Sequence, residues 1–371
     1  MITFVKKAPL IAVLFLYVQE LSVLSLSKIR YEMKNKLILF SLSLAIAAGF
    51  TFCGRLTTEN EVKLNGMAQG TYYAITYFDA ENRNLQPEID SFFKAFDKSA
   101  SVYLPESIIS RFNNNDPGTI ADDAFTTVFN KSIEVSEATN GAFDITTMPL
   151  TNAWGFGFTD PMKLDSAQVD SLLKFVDYRR ISLVDGKLIK EIPEIKIDYN
   201  AIAQGYSADL IGKMLIEKGI TNFLIDVGGE VLAKGKKPDG TQWKVGIEKP
   251  ANEANDERSL DVIVKLEDKA LASSGNYRRF FVRDGKRYAH TIDPKTGYPV
   301  THTLLSASVM ANDCMTADAY ATAFMVMGVE KAKEFLENRT DLEAHFIYTN
   351  DEGQYETWTS PGLKKLIQKN E

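Results

Sequence analysis

The stretch from His290 to Thr322 constrains the fold more than any other part of this chain. It reads H-T-I-D-P-K-T-G-Y-P-V, then an apolar run from Leu304 to Met310, then N-D-C-M-T-A-D-A-Y-A-T. Proline and glycine punctuate the first part, which reads as a loop. The apolar run has strand length and the last part reads as a helix start. Loop, strand and helix follow one another without a spacer, so His290, Asp293, Asp318 and Thr322 are directed towards one region.

The body around this stretch mixes strands and helices without strict alternation. A β-rich strand at 71–78 precedes a helix opened by Pro87 and running to Ala100, with Ile89, Phe92, Phe93 and Phe96 on one face. A turn and short helix occupy 101–113, and a second amphipathic helix, 122–139, stops at Asn140-Gly141. Residues 142–158 read as a structured loop, and 166–176 as a helix. Strands at 181–184 and 187–190 flank Asp185-Gly186, a hairpin signal. A buried strand at 195–198 leads to a helix at 201–218, and a strand at 223–227 ends in Gly228-Gly229. Further strands are expected at 243–248 and 262–266, and a hairpin at 279–282/286–290 turns on Asp284-Gly285. A helical region covers 314–337, and two strands lie near 344–349 and 354–358. Together these predict an α+β fold: one compact domain, residues 66–371, with mostly antiparallel sheets flanked by helices.

The N-terminus reads differently. After Lys34 and Lys36 comes L-I-L-F-S-L-S-L-A-I-A-A-G-F-T-F-C, ending at Cys53. Positive residues, an apolar core of signal length and a terminal cysteine describe a bacterial lipoprotein signal. A short membrane anchor is the alternative, and Phe52 departs from the small residue expected before a cleavage point. Residues 1–53 are therefore read as a signal/lipoprotein segment, with 1–32 a mis-called start upstream of Met33, and 54–65 as a polar tether. Removing 1–52 takes away Lys6, Lys7, Lys28, Arg30, Lys34, Lys36, Glu20 and Glu32. The formal charge then goes from -7 to -11, a net change of -4. An acidic body with no Lys/Arg run argues against a nucleic-acid binder. Only Cys314 would remain besides Cys53, so no internal disulfide is expected.

Five places can carry chemistry, each with an ordinary structural reading beside it. Asp318 and Thr322 are spaced i,i+4 and share a helix face, offering two hard oxygens to Mg2+ or Ca2+. The ordinary reading is an Asp favoured by the helix dipole and a Thr bonded back to a carbonyl. Ala317, Ala319, Ala321 and Ala323 make that helix smooth enough for another backbone to approach. Asp198 and the helix start after it can meet a ligand, or Asp198 or Asn200 can simply cap the helix. Asp226-Val227-Gly228-Gly229-Glu230 is a ligand-facing nest or a tight turn. His290 with Asp293 is an acid/base pair, a phosphate contact or a satisfied turn. Asp144 faces an aromatic ligand or folds its own turn. Three histidines without H-E-x-x-H leave no multi-His zinc site, and neither G-x-G-x-x-G, a P-loop nor a G-x-S-x-G elbow is present.

In their order the segments G-M-A-Q-G-T-Y-Y (66–73), S-V-Y-L-P-E-S-I-I-S-R-F-N (101–113), G-A-F-D-I-T-T-M-P-L-T-N-A-W-G-F (141–156), D-Y-N-A-I-A-Q-G-Y-S-A-D (198–209), D-V-G-G-E (226–230), S-S-G-N-Y-R-R-F (273–280), H-T-I-D-P-K-T-G-Y-P-V (290–300) and A-D-A-Y-A-T-A-F-M-V-M-G (317–328) resemble the FAD:protein FMN transferases, the ApbE family of periplasmic flavin-transferring lipoproteins. The resemblance implies a T-fold-related domain that binds FAD, cuts its pyrophosphate and transfers FMN to a Ser/Thr hydroxyl of an acceptor protein, an electron-transfer subunit. It implies Mg2+ at Asp318, Thr322 and the Ala201 carbonyl. It places flavin contacts at Gln69, Tyr103, Ala142, Phe143, Asp144, Asp198, Gln204 and Ile292, and the acid/base or phosphate-contacting role at His290. It also implies a lipid on Cys53 and a periplasm-facing location. Two positions depart from the family pattern: Gln69 stands where Met is usual, and Gln204 where Lys is frequent. Hydrolysis of FAD to FMN and AMP, or FAD binding without turnover, are the alternative activities.

Overall fold

The computed structural model describes residues 60–368 apart from 161, 163, 251–258, 277–279 and 284–285, and gives 280–283 and 286–288 as backbone only. The expected signal segment, Cys53 and the start of the tether lie outside the described residues.

In chain order the elements are β1 (Asn60–Ala68), β2 (Thr71–Asp79), α1 (Gln86–Ala100), α2 (Ile108–Asn113), α3 (Asp123–Ala138), α4 (Met148–Ala153), α5 (Ser166–Leu173), β3 (Ile181–Val184), β4 (Lys187–Lys190), α6 (Ala203–Glu217), β5 (Phe223–Val227), β6 (Glu230–Lys234), β7 (Trp243–Glu248), β8 (Leu260–Leu266), β9 (Lys269–Gly275), β10 (Phe280–Arg283), β11 (Lys286–Ala289), β12 (Leu304–Ala311), α7 (Cys314–Met327), α8 (Val329–Glu337), β13 (Glu343–Thr349), β14 (Tyr355–Thr359) and α9 (Pro361–Lys364). An eight-stranded sheet in the order β1-β2-β5-β6-β9-β12-β13-β14 organises the domain, and β3-β4, β7-β8 and β10-β11 are separate hairpins. Each pairing in the large sheet is antiparallel. The α+β expectation holds.

The apolar run from Leu304 to Met310 becomes β12, buried at nearly every position. Strand residues alternate between faces, so burial without alternation requires cover on both sides. One side is the main core, which Ala307 and Val309 share with Ala317, Ala321 and Phe324 of α7 and Ile211 and Leu215 of α6. On the other side Met310, Leu271 and Ile347 pack with Trp243, Val264 and Leu363 of β7, β8 and α9. A third, smaller cluster gathers Leu150, Trp154, Val169, Val176 and Ile292 under the 290–300 loop. There the Trp154 indole N–H donates to the Gly297 carbonyl at 2.8 Å.

Several boundaries differ from expectation, each for an identifiable reason. β1 begins at Asn60, inside the expected tether; it is an edge strand in which Glu61 and Lys63 form an ion pair, and charged edges blunt strand addition. Residues 195–198, expected as a strand, join no strand. The Asn113 side chain takes the partner's place there, its amide donating to the Ile197 carbonyl and its oxygen accepting from Ile197 N–H, both at 2.8 Å. Met148-Pro149 starts a short helix within the expected loop at 142–158. The helices expected over 314–337 are present as two, meeting at Gly328, whose φ of 78° suits glycine. Asp122 caps α3 through Phe125 N–H, and Asn140 and Gly141, with φ of 50° and 75°, stop it as expected.

Candidate functional site

The site grows from the crossing of α6 and α7. Gly205 on α6 lies so close to α7 that a Cβ there would sit 2.4 Å from the Cys314 carbonyl oxygen and 2.9 Å from Asp318 Cβ. At this crossing each helix caps the other. Asp209 of α6 accepts from the Cys314 and Met315 N–H groups at 2.8 and 2.9 Å. Asp318 of α7 accepts from Gly205 N–H at 3.1 Å. Helix N-termini leave donors unsatisfied and favour negative charge, so both contacts are stabilising.

This exchange explains the start of α6. The expected cap from Asp198 or Asn200 does not form: the helix begins at Ala203, not 201, and its N-cap position, Ile202, makes no side-chain cap bond. Asp198 instead accepts from Asn200 N–H at 3.0 Å, within its own turn. In a regular α-helix Gly205 N–H would donate to the Ala201 carbonyl. Its partner is Asp318, and among the described residues no backbone bond to the Ala201 carbonyl is present. That oxygen lies outside the helix ladder, four residues before the point where Asp318 docks.

One turn beyond Asp318, Thr322 Oγ1 lies 3.1 Å from Ser274 Oγ of β9. Asp318 is 5% exposed. Burial pushes its carboxyl above the usual carboxylate range, opposed only by the Gly205 N–H. Glu230 at the start of β6 is likewise buried and raised, by burial first and then by Asp318. Burial brings Asp209 up to about 7 and Asp198 up to about 6. Dry carboxylates of this kind are neutralised by a proton or by a cation. Among the described residues no three His, Cys, Asp or Glu side chains are grouped as a metal site. The expected Mg2+ set has a different make-up, with one carboxylate, one hydroxyl and one carbonyl. Buried Asp318, half-buried Thr322 and the released Ala201 oxygen fit that hard-oxygen chemistry.

The remaining expected residues fall into three groups. Gln69 occupies the β1–β2 turn with φ of 52°, and its Oε1 accepts from Ser207 Oγ at 3.1 Å, which ties the turn to α6. Gln204 is half-buried in the first turn of that helix. Tyr103 is 68% exposed, and its ring packs on exposed Phe158 with centroids 4.9 Å apart. The ring contacts expected of Tyr103 and Phe143 therefore divide. Phe143 is 2% exposed inside the main core, so its ring supports the fold.

Ala142 and Ile292 are buried beside it in sequence and in the 290–300 loop, respectively. Asp144 folds its own turn, accepting from Thr146 N–H and Oγ1 and from Tyr178 N–H. His290 is half-buried, with its ring edge-on to Phe156 at 6.3 Å. Asp293 shapes the loop by accepting from Lys295 N–H at 2.8 Å. Glu230, Asp209 and Ser274 belong to this region and carry no isolated sequence signal beyond the D-V-G-G-E, Y-S-A-D and S-S-G-N-Y-R-R-F segments.

Comparison with known proteins shows the family of the chain. Residues 69–346 match the ApbE family. A protein of Haemophilus influenzae named FAD:protein FMN transferase is 35% identical over 352 residues, 91% of this chain and 100% of the relative. One of the same name from Vibrio cholerae is 33% identical, covering 88% of this chain and 98% of its own. The structure of the flavin transferase ApbE from Vibrio cholerae superposes with a TM-score of 0.74 at 31% identity, covering 83% of this chain and 99% of that one. The Pseudomonas stutzeri flavinyl transferase ApbE gives 0.75 at 29% identity, covering 84% and 98%.

Proposed function

Since this chain belongs to the ApbE family, we propose that it is an FAD:protein FMN transferase, moving FMN from FAD to a Ser or Thr hydroxyl of an acceptor protein and releasing AMP. The observation that carries the reading is the α6–α7 crossing: a buried carboxylate, Asp318, docked on a helix start that has no cap residue of its own, with Thr322 one turn away.

Asp318, Thr322 and the Ala201 carbonyl would hold Mg2+, which when bound screens the pyrophosphate charge and makes phosphorus more open to attack. The N-terminus of α6 has no side-chain cap of its own and favours an anion, so it orients the pyrophosphate. Gln204 in its first turn adds a neutral amide where a lysine is frequent in the family. Tyr103 with Phe158 offers an exposed aromatic wall for a flat heterocycle. Asp198, its carboxyl raised to about 6 by burial, pairs with a ring N–H or a ribose hydroxyl. The acceptor hydroxyl attacks the FMN phosphorus, the bond to the AMP oxygen breaks, and AMP leaves with the electron pair. The hydroxyl proton passes to His290 or to solvent through it.

The apolar segment after Lys34 and Lys36 supports export and lipid attachment at Cys53, with the domain facing the periplasm and an electron-transfer subunit as acceptor. The test is quantification of FMN, AMP and protein-bound flavin after incubation with FAD and Mg2+, with and without an acceptor. Transfer gives AMP and bound flavin in equal amounts. Free FMN and AMP without bound flavin would mark a pyrophosphatase, and flavin retained intact would mark a binding protein.

A further inference from the structure

The buried carboxylates around the α6–α7 crossing are not equally satisfied. Both oxygens of Asp209 accept helix N–H bonds. Asp226 accepts from Gly229 N–H at 2.9 Å and from the Tyr72 hydroxyl at 3.1 Å. Asp318 accepts from Gly205 N–H. Glu230 differs: it is 7% exposed, and its Oε2 has no hydrogen-bond partner, the only carboxylate oxygen so placed among the described residues. An unpaired buried oxygen of this kind costs the full desolvation of the group, so a fold that keeps one needs a reason.

Position supplies the reason. Glu230 opens β6 directly after the Gly228-Gly229 turn, whose φ values of 71° and 112° bring the strand back towards β5. A Cβ on Gly228 would lie 3.3 Å from Glu230 Oε2 and 2.7 Å from Thr71, so the turn is kept open by glycine where this carboxylate lies. Val231 pairs with Leu271 of β9, which sets Glu230 at the same end of the sheet as Ser274, the partner of Thr322. α7, which carries Asp318 and Thr322, packs against both β6 and β9, so the two buried acids lie in one region.

We propose that Glu230 supplies a further oxygen, directly or through one water, to the divalent cation held by Asp318, Thr322 and the Ala201 carbonyl. This rests on the magnesium reading above. Two neighbouring buried carboxylates repel without a cation and are bridged when one binds. Glu230 thereby raises cation affinity at the expense of apo-protein stability.

The test is isothermal titration of MgCl2 into the folded protein lacking FAD, with thermal unfolding measured with and without Mg2+, for wild type, Glu230→Gln and Asp318→Asn. Glu230→Gln is expected to weaken Mg2+ binding about tenfold or more. Its apo Tm should equal or exceed that of wild type, while the Mg2+-induced rise in Tm shrinks. A purely structural glutamate would show the reverse, a lower apo Tm with an unchanged Mg2+ response, and that result overturns the proposal. If Glu230→Gln does not fold, Glu230→Asp serves: the retracted carboxylate should weaken Mg2+ binding, and unchanged affinity overturns the proposal. If wild type and Asp318→Asn both fail to bind Mg2+, the magnesium reading falls and takes this one with it. Loss in Asp318→Asn alone, with Glu230→Gln unaffected, refutes only the role of Glu230.

Discussion

Replacing Gly205 by alanine tests the helix crossing at its tightest point. The added methyl would lie 2.4 Å from the Cys314 carbonyl oxygen, 2.8 Å from its carbonyl carbon and 2.9 Å from Asp318 Cβ. Two of these atoms are backbone and cannot swing aside, so α6 and α7 must separate. Overpacking of this kind costs up to about 3 kcal/mol. Alanine recovers about 1 kcal/mol through helix propensity, leaving a net loss of about 2 kcal/mol. Separation also pulls Asp318 from Gly205 N–H, and a misplacement of about 1 Å at a reacting centre costs on the order of a hundredfold in rate. Gly212→Ala on the same helix is the control. Its Cβ would meet the end of the Leu232 side chain at 2.7 Å and Phe223 only at 3.4 Å, and a flexible side chain can move. Urea unfolding of both variants measures the difference, alongside the initial rate of flavin transfer. If Gly205→Ala unfolds with Gly212→Ala and retains wild-type transfer, the crossing does not position Asp318 and the reasoning fails.

Other consequences follow from the same structure. Tyr103→Ala should leave urea stability within about 0.5 kcal/mol of wild type, because the ring is exposed, yet weaken FAD binding by about tenfold in a fluorescence titration. Phe143→Ala should do the opposite, lowering stability by about 3–5 kcal/mol, because its ring lies in the core. Asp79 is buried against Arg83 with bonds of 2.8 and 2.9 Å, and the guanidinium holds its carboxyl down to about 2 from the usual 3.8. A depressed folded-state value contributes stability above about pH 4 that is lost as pH falls towards 2, so acid unfolding of Asp79→Asn should show a shallower dependence on pH across that window.

Local signals in the sequence carried much of the fold. Asp185-Gly186 marked a hairpin, and both residues have positive φ. Asp122 and Asn140-Gly141 bounded α3 because caps and stops are built from neighbouring residues. The sequence was misleading where distant atoms decide the matter. The start of α6 depends on Asp318, 113 residues away. Asn113 replaces a strand partner for Ile197 across 84 positions, which no local pattern reveals. Glu61 and Lys63 hid β1 because an edge strand tolerates charges that a central strand would not. At the site, the i,i+4 spacing of Asp318 and Thr322 was legible. The unpaired oxygen of Glu230 was not, since only tertiary packing shows which acids find partners.

Intact mass of an acceptor protein, measured after incubation with FAD and this chain, addresses the central claim directly. With Mg2+ the acceptor should gain the mass of one FMN, with the loss of one water. The gain should vanish with excess chelator, with Asp318→Asn, and when the acceptor's Ser/Thr is replaced by alanine. An acceptor that keeps its mass with FAD and Mg2+ while AMP accumulates, or one labelled equally by Asp318→Asn, would contradict transfer at the α6–α7 crossing.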